Sequence, residues 1–427
     1  MASSNPPPHT RWGRVVPPAP RERSPFSVLA SGNDAIDVAL WQVLRDVLLW
    51  ARTPESERHL LFDPPSPAIR KRLAAAADAA PLLADPLATL ARLRLPAGEV
   101  AAMVASACDR VYDWAERSGL LEIATQFAEA SAYADPGNPV WACRAGYMTR
   151  VAGGVEMFTR SDAWYSRAFV QAVQRGNQDA ALRALIGAGA LMKDMGKYGR
   201  ARQLFMRAAR RAIRAGRNRR AAVALHHSFA LAAETGHVRI AVRDANAALR
   251  NYRIYDERLP ALAHDLAYLL VRNHHYGTAL RLVDGLGERV EGVWAKGMLH
   301  GINARAAAGA GFGGSYYEAS EAAFDIAQIN EECAGAVFVN LAEAARILRR
   351  WDEAAEHATR ALTVARRRAD TEVKRLATEL LRQVERREAP PPASEPASDA
   401  PIAVLAQRLA ARLRRWRRSK RSVGMAS

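Results

Sequence analysis

The chain has 427 residues and a formal net charge of +17, with 61 Lys and Arg against 44 Asp and Glu. Hydrophobic residues make up 49% of the chain but aromatic residues only 7%. Alanine, the strongest helix former, supplies much of the apolar total. This composition favours an all-helical protein, built as two or three domains or as one long solenoid, and argues against a buried parallel sheet.

The cysteines are few and widely separated. Cys108, Cys143 and Cys333 have no CxxC spacing, which argues against a disulfide framework and against a structural zinc site. Each is predicted to be a small buried hydrophobe. No apolar stretch has the length of a signal peptide or a membrane span, so a cytoplasmic protein is expected.

Arginine dominates the basic residues, because lysine occurs only six times. One interpretation is the codon preference of a GC-rich bacterial genome. The other is attraction to an acidic partner, such as nucleic acid, an anionic membrane surface or an acidic protein. The composition leaves both interpretations open.

Two segments precede the regular part of the chain. Residues 1–32 are rich in proline and cannot bury enough apolar surface to order themselves, which predicts a disordered tail. A helix is predicted to start at Asn33, which can cap it, and to end before Pro54. Residues 33–98 are interpreted as a small helical cap or adaptor. Two further short helices are expected within it, at 68–79 and 86–94.

From residue 99 onward a tight turn between two helices recurs at steps of about 34 to 43 residues. Glycine marks most of these turns, because a glycine just past a helix end adopts the left-handed conformation that other residues avoid. The predicted turns lie at Gly119, Gly196, Gly236, His274 and Arg349, and near Gly153–Gly154 and Gly314.

The residues around these turns resemble the tetratricopeptide repeat (TPR) family. The run 351–362 is similar to the second helix of a TPR unit, and 340–342 to the matching first helix. The resemblance covers residues 99–387 and implies a right-handed superhelix of about seven antiparallel helix pairs. Small residues would let paired helices approach closely while a large residue fills the adjacent hole. In one unit the pattern falls on Gly189, Met192, Gly196, Tyr198, Ala201, Phe205 and Ala208.

The resemblance also implies that protein partners bind in a groove lined by the first helices. The lysine and asparagine set with which co-chaperone TPR domains bind a peptide carboxylate is missing, so a chaperone tail is a poor candidate partner. By alignment, the groove presents Arg183, Lys193, His226, His264, Tyr268, Glu343 and Arg346.

The sequence contains no recognisable catalytic, cofactor-binding or metal-binding set. The pairs His226-His227 and His274-His275 lack a third ligand, and adjacent helical residues point about 100° apart. The glycine-rich run 309–314 follows no strand and has no GK[ST], so it is interpreted as a turn between helices. A non-catalytic protein without cofactor or metal is expected.

A cluster of arginines at 193–220 has one acidic residue, Asp194. Its helical spacing predicts one basic face on a second helix, outside the groove. Two interpretations remain open: a plain solvated face, or a docking site for an anionic partner. The face is formed by Arg200, Arg207, Arg211 and Arg214.

The C-terminal part is predicted to be a proline-rich linker, 388–401, followed by a basic amphipathic helix, 402–421. Its cations include Arg408, Arg412 and Arg415. Three destinations stay open: an anionic membrane surface, nucleic acid, or the last repeat of the chain itself. The apolar stripe consists of Ile402, Leu405, Leu409, Leu413 and Trp416.

Together these patterns predict a cytoplasmic interaction scaffold that binds protein partners through a TPR superhelix. The C-terminal helix would add peripheral membrane attachment if it met an anionic surface. The alternative is a regulator or nucleic-acid-associated factor that uses the arginine-rich surface.

Overall fold

The computed structural model describes residues 18, 31–60, 65–94, 100–286, 290, 292–368, 370–398 and 400–424. Within these ranges every regular element is a helix and no β-strand occurs, which confirms the predicted all-α class. No helix in the described ranges is long and apolar enough to cross a membrane. The predicted disordered tail, 1–32, lies outside the described residues except for residues 18, 31 and 32.

Three helices precede the repeats: α1 (Asp34–Arg52), α2 (Pro67–Ala79) and α3 (Ala84–Ala91). Asn33 caps α1 as predicted, and its side chain accepts hydrogen bonds from the backbone amides of Ala35 and Ile36. Buried side chains of these helices share one apolar core with the helices that begin at residues 101 and 121. Residues 33–98 as a cap or adaptor remain a prediction.

Fourteen of the described helices form seven consecutive pairs, in which a short turn joins a first helix to a second. This arrangement confirms the predicted TPR-like array of antiparallel helix pairs. The pairs are α4 (Ala101–Arg117) with α5 (Leu121–Ala134), α6 (Pro139–Ala152) with α7 (Val155–Gln174), α8 (Gln178–Asp194) with α9 (Tyr198–Arg214), α10 (Asn218–Glu234) with α11 (Val238–Asn251), α12 (Leu259–Arg272) with α13 (Tyr276–Leu286), α14 (Val293–Ala310) with α15 (Gly313–Ile329), and α16 (Glu331–Ile347) with α17 (Trp351–Arg368). Helices α18 (Thr371–Glu385) and α19 (Pro401–Gly424) follow.

Six of the seven turns within pairs share one hydrogen-bond pattern. The amide after the left-handed residue donates to the carbonyl five residues earlier, as from Lys197 to Met192 at 2.8 Å and from His275 to Leu270 at 2.9 Å. The left-handed residue has a positive φ even where it is not glycine, at His274 (60°) and Arg349 (58°). The predicted turn positions at these two residues are therefore confirmed.

One turn differs from this pattern, and another keeps it a few residues from its approximate predicted place. The turn predicted near Gly314 lies at Gly311, with φ 81°, because Gly313 already begins α15. At Gly153 and Gly154 both residues have positive φ, and the amide of Gly153 donates to Arg150 only three residues back. Two successive glycines therefore make a looser connection between α6 and α7.

Glycines on first helices make room for aromatic rings of neighbouring helices, as the TPR resemblance implies. A Cβ atom at Gly189 would lie 2.5 Å from the ring of Phe205. At Gly309 it would lie 2.2 Å from the ring of Tyr276. Such distances are far below van der Waals contact, so the close approach of these helices depends on glycine.

The chain divides into two compact units that meet in sequence between Arg220 and Ala221. We call them unit 1 and unit 2. Unit 1 holds the N-terminal helices and the pairs α4–α5, α6–α7 and α8–α9. Unit 2 holds α11–α19 and most of α10.

Candidate functional site

All seven residues predicted to line the groove lie on first helices, namely α8, α10, α12 and α16. Most of them are already engaged with residues of the same chain. Lys193 is half-buried, with its Nζ 3.9 Å from Asp194. The others form polar bridges between first helices of successive pairs or flank an exposed aromatic side chain.

In unit 2, Asp265 on α12 joins two predicted groove histidines. His226 Nε2 lies 2.9 Å from one carboxylate oxygen and His264 Nδ1 lies 3.1 Å from the other. Burial acts to raise the pKa of Asp265, but the hydrogen bonds from both histidines hold it well below its usual range. The second nitrogen of His226 lies 3.3 Å from the Tyr252 hydroxyl, so this histidine is fully engaged.

A second bridge joins α14 to α16. Arg305 Nη2 lies 3.5 Å from Glu343, and Arg346 donates to the same carboxylate at 2.7 Å. Burial acts to raise the pKa of Glu343, but the two guanidinium groups hold it below its usual range. Arg346 also donates to the carbonyl of Glu388 at 3.0 Å, so it extends the bridge to the chain that follows α18.

Unit 1 has equivalent bridges. Arg150 on α6 donates to Asp194 of α8 at 2.6 Å. Asp179 on α8 accepts from Arg183 at 3.0 Å and from Arg220 at 2.8 Å. The hydrogen bond from Arg220 is the main reason that the pKa of Asp179 is lowered. A further bridge, from Arg144 to Asp109, joins α6 to α4.

Sequence reasoning missed the partner in most of these bridges. It selected Arg183, His226 and Glu343 but not Asp179, Asp265 or Arg305. A usable signal exists: the bridging acid and base lie about one repeat apart, between 35 and 44 residues for four of the bridges, and both lie on first helices.

An exposed aromatic side chain of α14 lies beside the largely buried ring of His264 on α12. The Trp294 side chain is 44% exposed, and its ring centroid lies 6.5 Å from that of His264. Nε2 of His264 is buried and has no hydrogen-bond partner among the described residues. Tyr268 lies one helical turn beyond His264, with the guanidinium of Arg272 5.8 Å from its ring. We call His264, Tyr268 and Trp294 the aromatic cluster.

The arginine face of α9 lies in unit 1. Arg207 and Arg211 are half-buried, and each guanidinium lies 5.8 Å from the ring of Phe169. Arg200 and Arg214 are exposed. Within the described part of the chain, no carboxylate pairs with any of these four arginines.

Arginines of α17 and of the helix that follows it, α18, are paired locally. On α17, Arg360 donates to Glu356 at 2.7 Å, four residues away. On α18, Arg375 contacts Glu372 at 2.8 Å, three residues away. Helix α9 contains no acidic residue, so no carboxylate of its own compensates its positive charge. In α17 and α18, acidic residues of the same helix largely balance the arginines.

The apolar stripe of the C-terminal helix packs within unit 2. Leu405, Leu409 and Leu413 are 0% exposed and Ile402 is 7% exposed, and α19 contacts α11, α12 and α13. Of the three destinations left open, packing on the chain itself is the one found, on α11 to α13 instead of on the last repeat, so the stripe is covered by protein. The side chain of Trp416 lies outside the described residues.

The basic residues of α19 divide between two environments. Arg408 and Arg415 are exposed. Arg412 is half-buried and donates to the carbonyls of Leu249 at 2.7 Å and Tyr252 at 3.2 Å. Burial lowers the pKa of Arg412.

The three cysteines are buried and unpaired, as predicted. Burial raises the pKa of Cys143 to about 12 and also raises those of Cys108 and Cys333. A thiol in such surroundings is a poor nucleophile at neutral pH. Among the described residues, no group of three or more His, Cys, Asp or Glu side chains is arranged to hold a metal ion.

Comparisons with known proteins give similarity only at the level of solved structures. No family model and no curated protein matches the chain. The TPR domain of P58(IPK) is 12% identical over 82% of this chain and 100% of that chain, with a TM-score of 0.21. A circular tandem repeat protein with novel repeat topology and enhanced subunit contact surfaces is 15% identical over 92% and 99%, with a TM-score of 0.17. Scores this low carry no argument about function, so the repeat assignment rests on the helices and turns described above.

Proposed function

We propose that the protein is a non-catalytic interaction scaffold that binds a segment of a protein partner on the first helices of unit 2. The observation that carries this proposal is the aromatic cluster, in which the half-exposed Trp294 lies beside the ring of His264. Tryptophan, tyrosine and arginine are the residues that most often dominate binding energy at protein interfaces. Trp294 is such a residue and is exposed, and the half-buried Tyr268 and Arg272 lie on the neighbouring helix α12.

The polar bridges support this function indirectly. Because Asp265 and Glu343 are already satisfied by residues of neighbouring first helices, they fix the spacing of α10 to α12 and of α14 to α16. A binding surface is most effective when neighbouring residues hold its side chains in place. The bridges would therefore position the aromatic cluster and leave direct recognition to it.

The test is capture of partners from native lysate by the full chain, with nuclease treatment and at two salt concentrations. Removing a dominant interface side chain costs about 2 kcal/mol or more, which is roughly a 30-fold loss of affinity. Trp294→Ala should therefore lose captured proteins that the wild-type chain retains after nuclease treatment and at high salt. Tyr255→Ala is a matched control, since it removes a ring that is also exposed (55%) in the loop before α12. Equal capture by both variants would refute the proposal.

A second candidate function is association with nucleic acid through α9, favoured by its unpaired arginines. Arginine contacts with phosphates release counterions, so binding should weaken steeply with salt. The double variant Arg210→Ala with Arg214→Ala removes two exposed cations of α9. The negative slope of log K for nucleic acid against log salt concentration should become shallower by about 2, since each phosphate contact contributes about 1. The control, Arg375→Ala with Arg382→Ala, removes two cations of α18 that are paired with glutamates. Equal slopes for the two double variants would exclude α9 as the site.

A further inference from the structure

The C-terminal segment of the chain, residues 388–415, returns to helices that lie far earlier in the sequence. After α18, residues 389–397 form no regular secondary structure. The backbone amide of Ser394 donates to the carbonyl of His274 at 3.0 Å, and the Ser394 carbonyl contacts Nδ1 of His275. The segment thereby reaches the turn between α12 and α13 before α19 begins.

Glu395 provides a cap for α13 from outside that helix. One carboxylate oxygen accepts from the amide of Gly277 at 2.7 Å, and the other accepts from the amide and hydroxyl of Thr278 at 3.1 and 2.6 Å. Amides in the first turn of a helix have no partner within it, and a carboxylate there also interacts favourably with the helix dipole. A residue 117 positions later in the chain therefore does what a local capping side chain usually does.

Helix α19 is held at two further places. Leu405, Leu409 and Leu413 of α19 are completely buried. The helix contacts α11, α12 and α13. Arg412 donates to the carbonyls of Leu249 and Tyr252 at the C-terminal end of α11. Since helix carbonyls at this end lack intrahelical partners, a guanidinium satisfies them well. The carboxylate, the leucines and the guanidinium are three separate recognition elements.

We propose that α11, α12 and α13 form a docking site for an amphipathic helix of a protein partner, and that the protein's own tail occupies this site in cis. The tail defines the chemistry of the partner: leucines at spacings of four, a carboxylate ten residues before the first leucine, and an arginine just before the last. Recognition of an apolar helix face by a groove between helices is a common binding mode.

The connection of α19 to the rest of the chain supports a replaceable occupant. Helices α14 to α18 lie between α13 and α19 in sequence, so α19 contacts the array out of repeat order. The extended segment before α19 is mostly exposed, and it contacts the α12–α13 turn and the start of α13 through Ser394 and Glu395. This site is distinct from the aromatic cluster and does not rest on it.

The experiment uses a labelled peptide of residues 388–415 as the probe and the full chain as the receptor. Leu405→Asp with Leu409→Asp in the protein should release its own tail. The peptide should bind this opened variant at least 10-fold more tightly than the wild-type chain, measured by fluorescence anisotropy. Peptides with Leu409→Asp or Glu395→Ala should bind at least 10-fold more weakly than the native peptide. A peptide with Arg408→Ala is the matched control, because Arg408 is exposed on α19, and its affinity should be unchanged.

Two outcomes would overturn the proposal. Failure of the peptide to bind an opened variant with wild-type helix content would show that the surface does not accept a helix in trans. Equal binding to wild type and variant would place the peptide elsewhere. Should the opened variant misfold, Glu395→Ala in the full chain provides a milder opening. It should accelerate hydrogen exchange at Gly277 and Thr278 and raise peptide affinity, and unchanged exchange and affinity would also refute the proposal.

Discussion

Replacing Gly309 with alanine should destabilise unit 2, although alanine is the better helix former. A Cβ atom at this position of α14 would lie 2.2 Å from Cγ of Tyr276, 2.3 Å from Cδ2 and 2.5 Å from Cδ1. These atoms are at the base of the ring, so a rotation of the side chain does not remove them. Tyr276 is 2% exposed, and its hydroxyl lies 2.9 Å from Nδ1 of His274. The ring therefore has no free space to enter.

Two opposing effects set the magnitude. Alanine gains about 1 kcal/mol over glycine in a helix interior, and less at Gly309, the next-to-last residue of α14. Favourable contact between carbon atoms needs about 3.5 to 4 Å, so α13 and α14 would have to separate by more than an ångström. Overpacking usually costs about 1 to 3 kcal/mol, and this contact belongs at the upper end. The expected result is a net loss of about 1 to 2 kcal/mol.

The assay is denaturant unfolding followed by far-UV circular dichroism. Gly285→Ala is the matched control, since Gly285 lies in helix α13 and an added Cβ meets nothing within 4 Å. It should be neutral or stabilising by up to about 1 kcal/mol. Adding Gly309→Ala to a Tyr276→Ala background should no longer be costly, because the ring is gone. A Gly309→Ala variant as stable as the Gly285→Ala variant would refute this account of the α13–α14 contact.

Three further predictions concern packing, pH and thiol chemistry. Ala354 is 0% exposed, so Ala354→Leu should cost roughly 1 to 3 kcal/mol by overpacking, and an unchanged thermal melt would contradict this packing. Because the pKa of Asp265 is lowered in the folded protein, its stabilising contribution is present above about pH 4 and is lost as the pH falls further. Asp265→Asn should therefore be less stable than wild type at neutral pH and should lose less stability on acidification. All three thiols should resist a disulfide reagent until denaturant is added, since burial raises their pKa values, and fast reaction of any one in the native protein would show local opening.

The repeat architecture was predictable because its signals are local. A left-handed residue ends each first helix, and glycine supplies it at positions such as Gly196 and Gly236. The regular step then located turns at His274 and Arg349, where no glycine is present. The same reasoning placed one turn only approximately, near Gly314, because glycines also occupy the first positions of α15. A run of glycines predicts that a turn is near. Only the positive φ of Gly311 shows which of these glycines forms it.

The polar bridges were only half predictable, because their two members lie one repeat apart in sequence. A single chain shows that His226 lies on a first helix but does not show that Asp265 is within 3 Å of it. Aligning successive first helices would have placed acids and bases at equivalent positions. The pairing itself depends on the separation and rotation of two helices, which a single helical period does not determine.

The fate of the C-terminal helix shows a different limit. Its apolar stripe was correctly identified, but an apolar surface gains similar free energy against lipid and against protein, since the hydrophobic effect has no direction. Polar contacts, unlike apolar ones, depend on the particular surface that the helix meets. Glu395 meets two free amides at the start of α13, and Arg412 meets two carbonyls at the end of α11. These two polar contacts, which the apolar stripe alone does not predict, help to hold the C-terminal segment on α11 and α13.

The positive charge of the chain is unevenly distributed among its helices. The arginines differ in their surroundings, because Arg360 and Arg375 have glutamates within one helical turn. Helix α9 and the described part of α19 contain no acidic residue. The surplus is therefore concentrated on particular helices, where an anion would gain most. Paired arginines already have their counter-charge, so neutralising them should change salt-dependent binding little, whereas neutralising those of α9 should change it strongly.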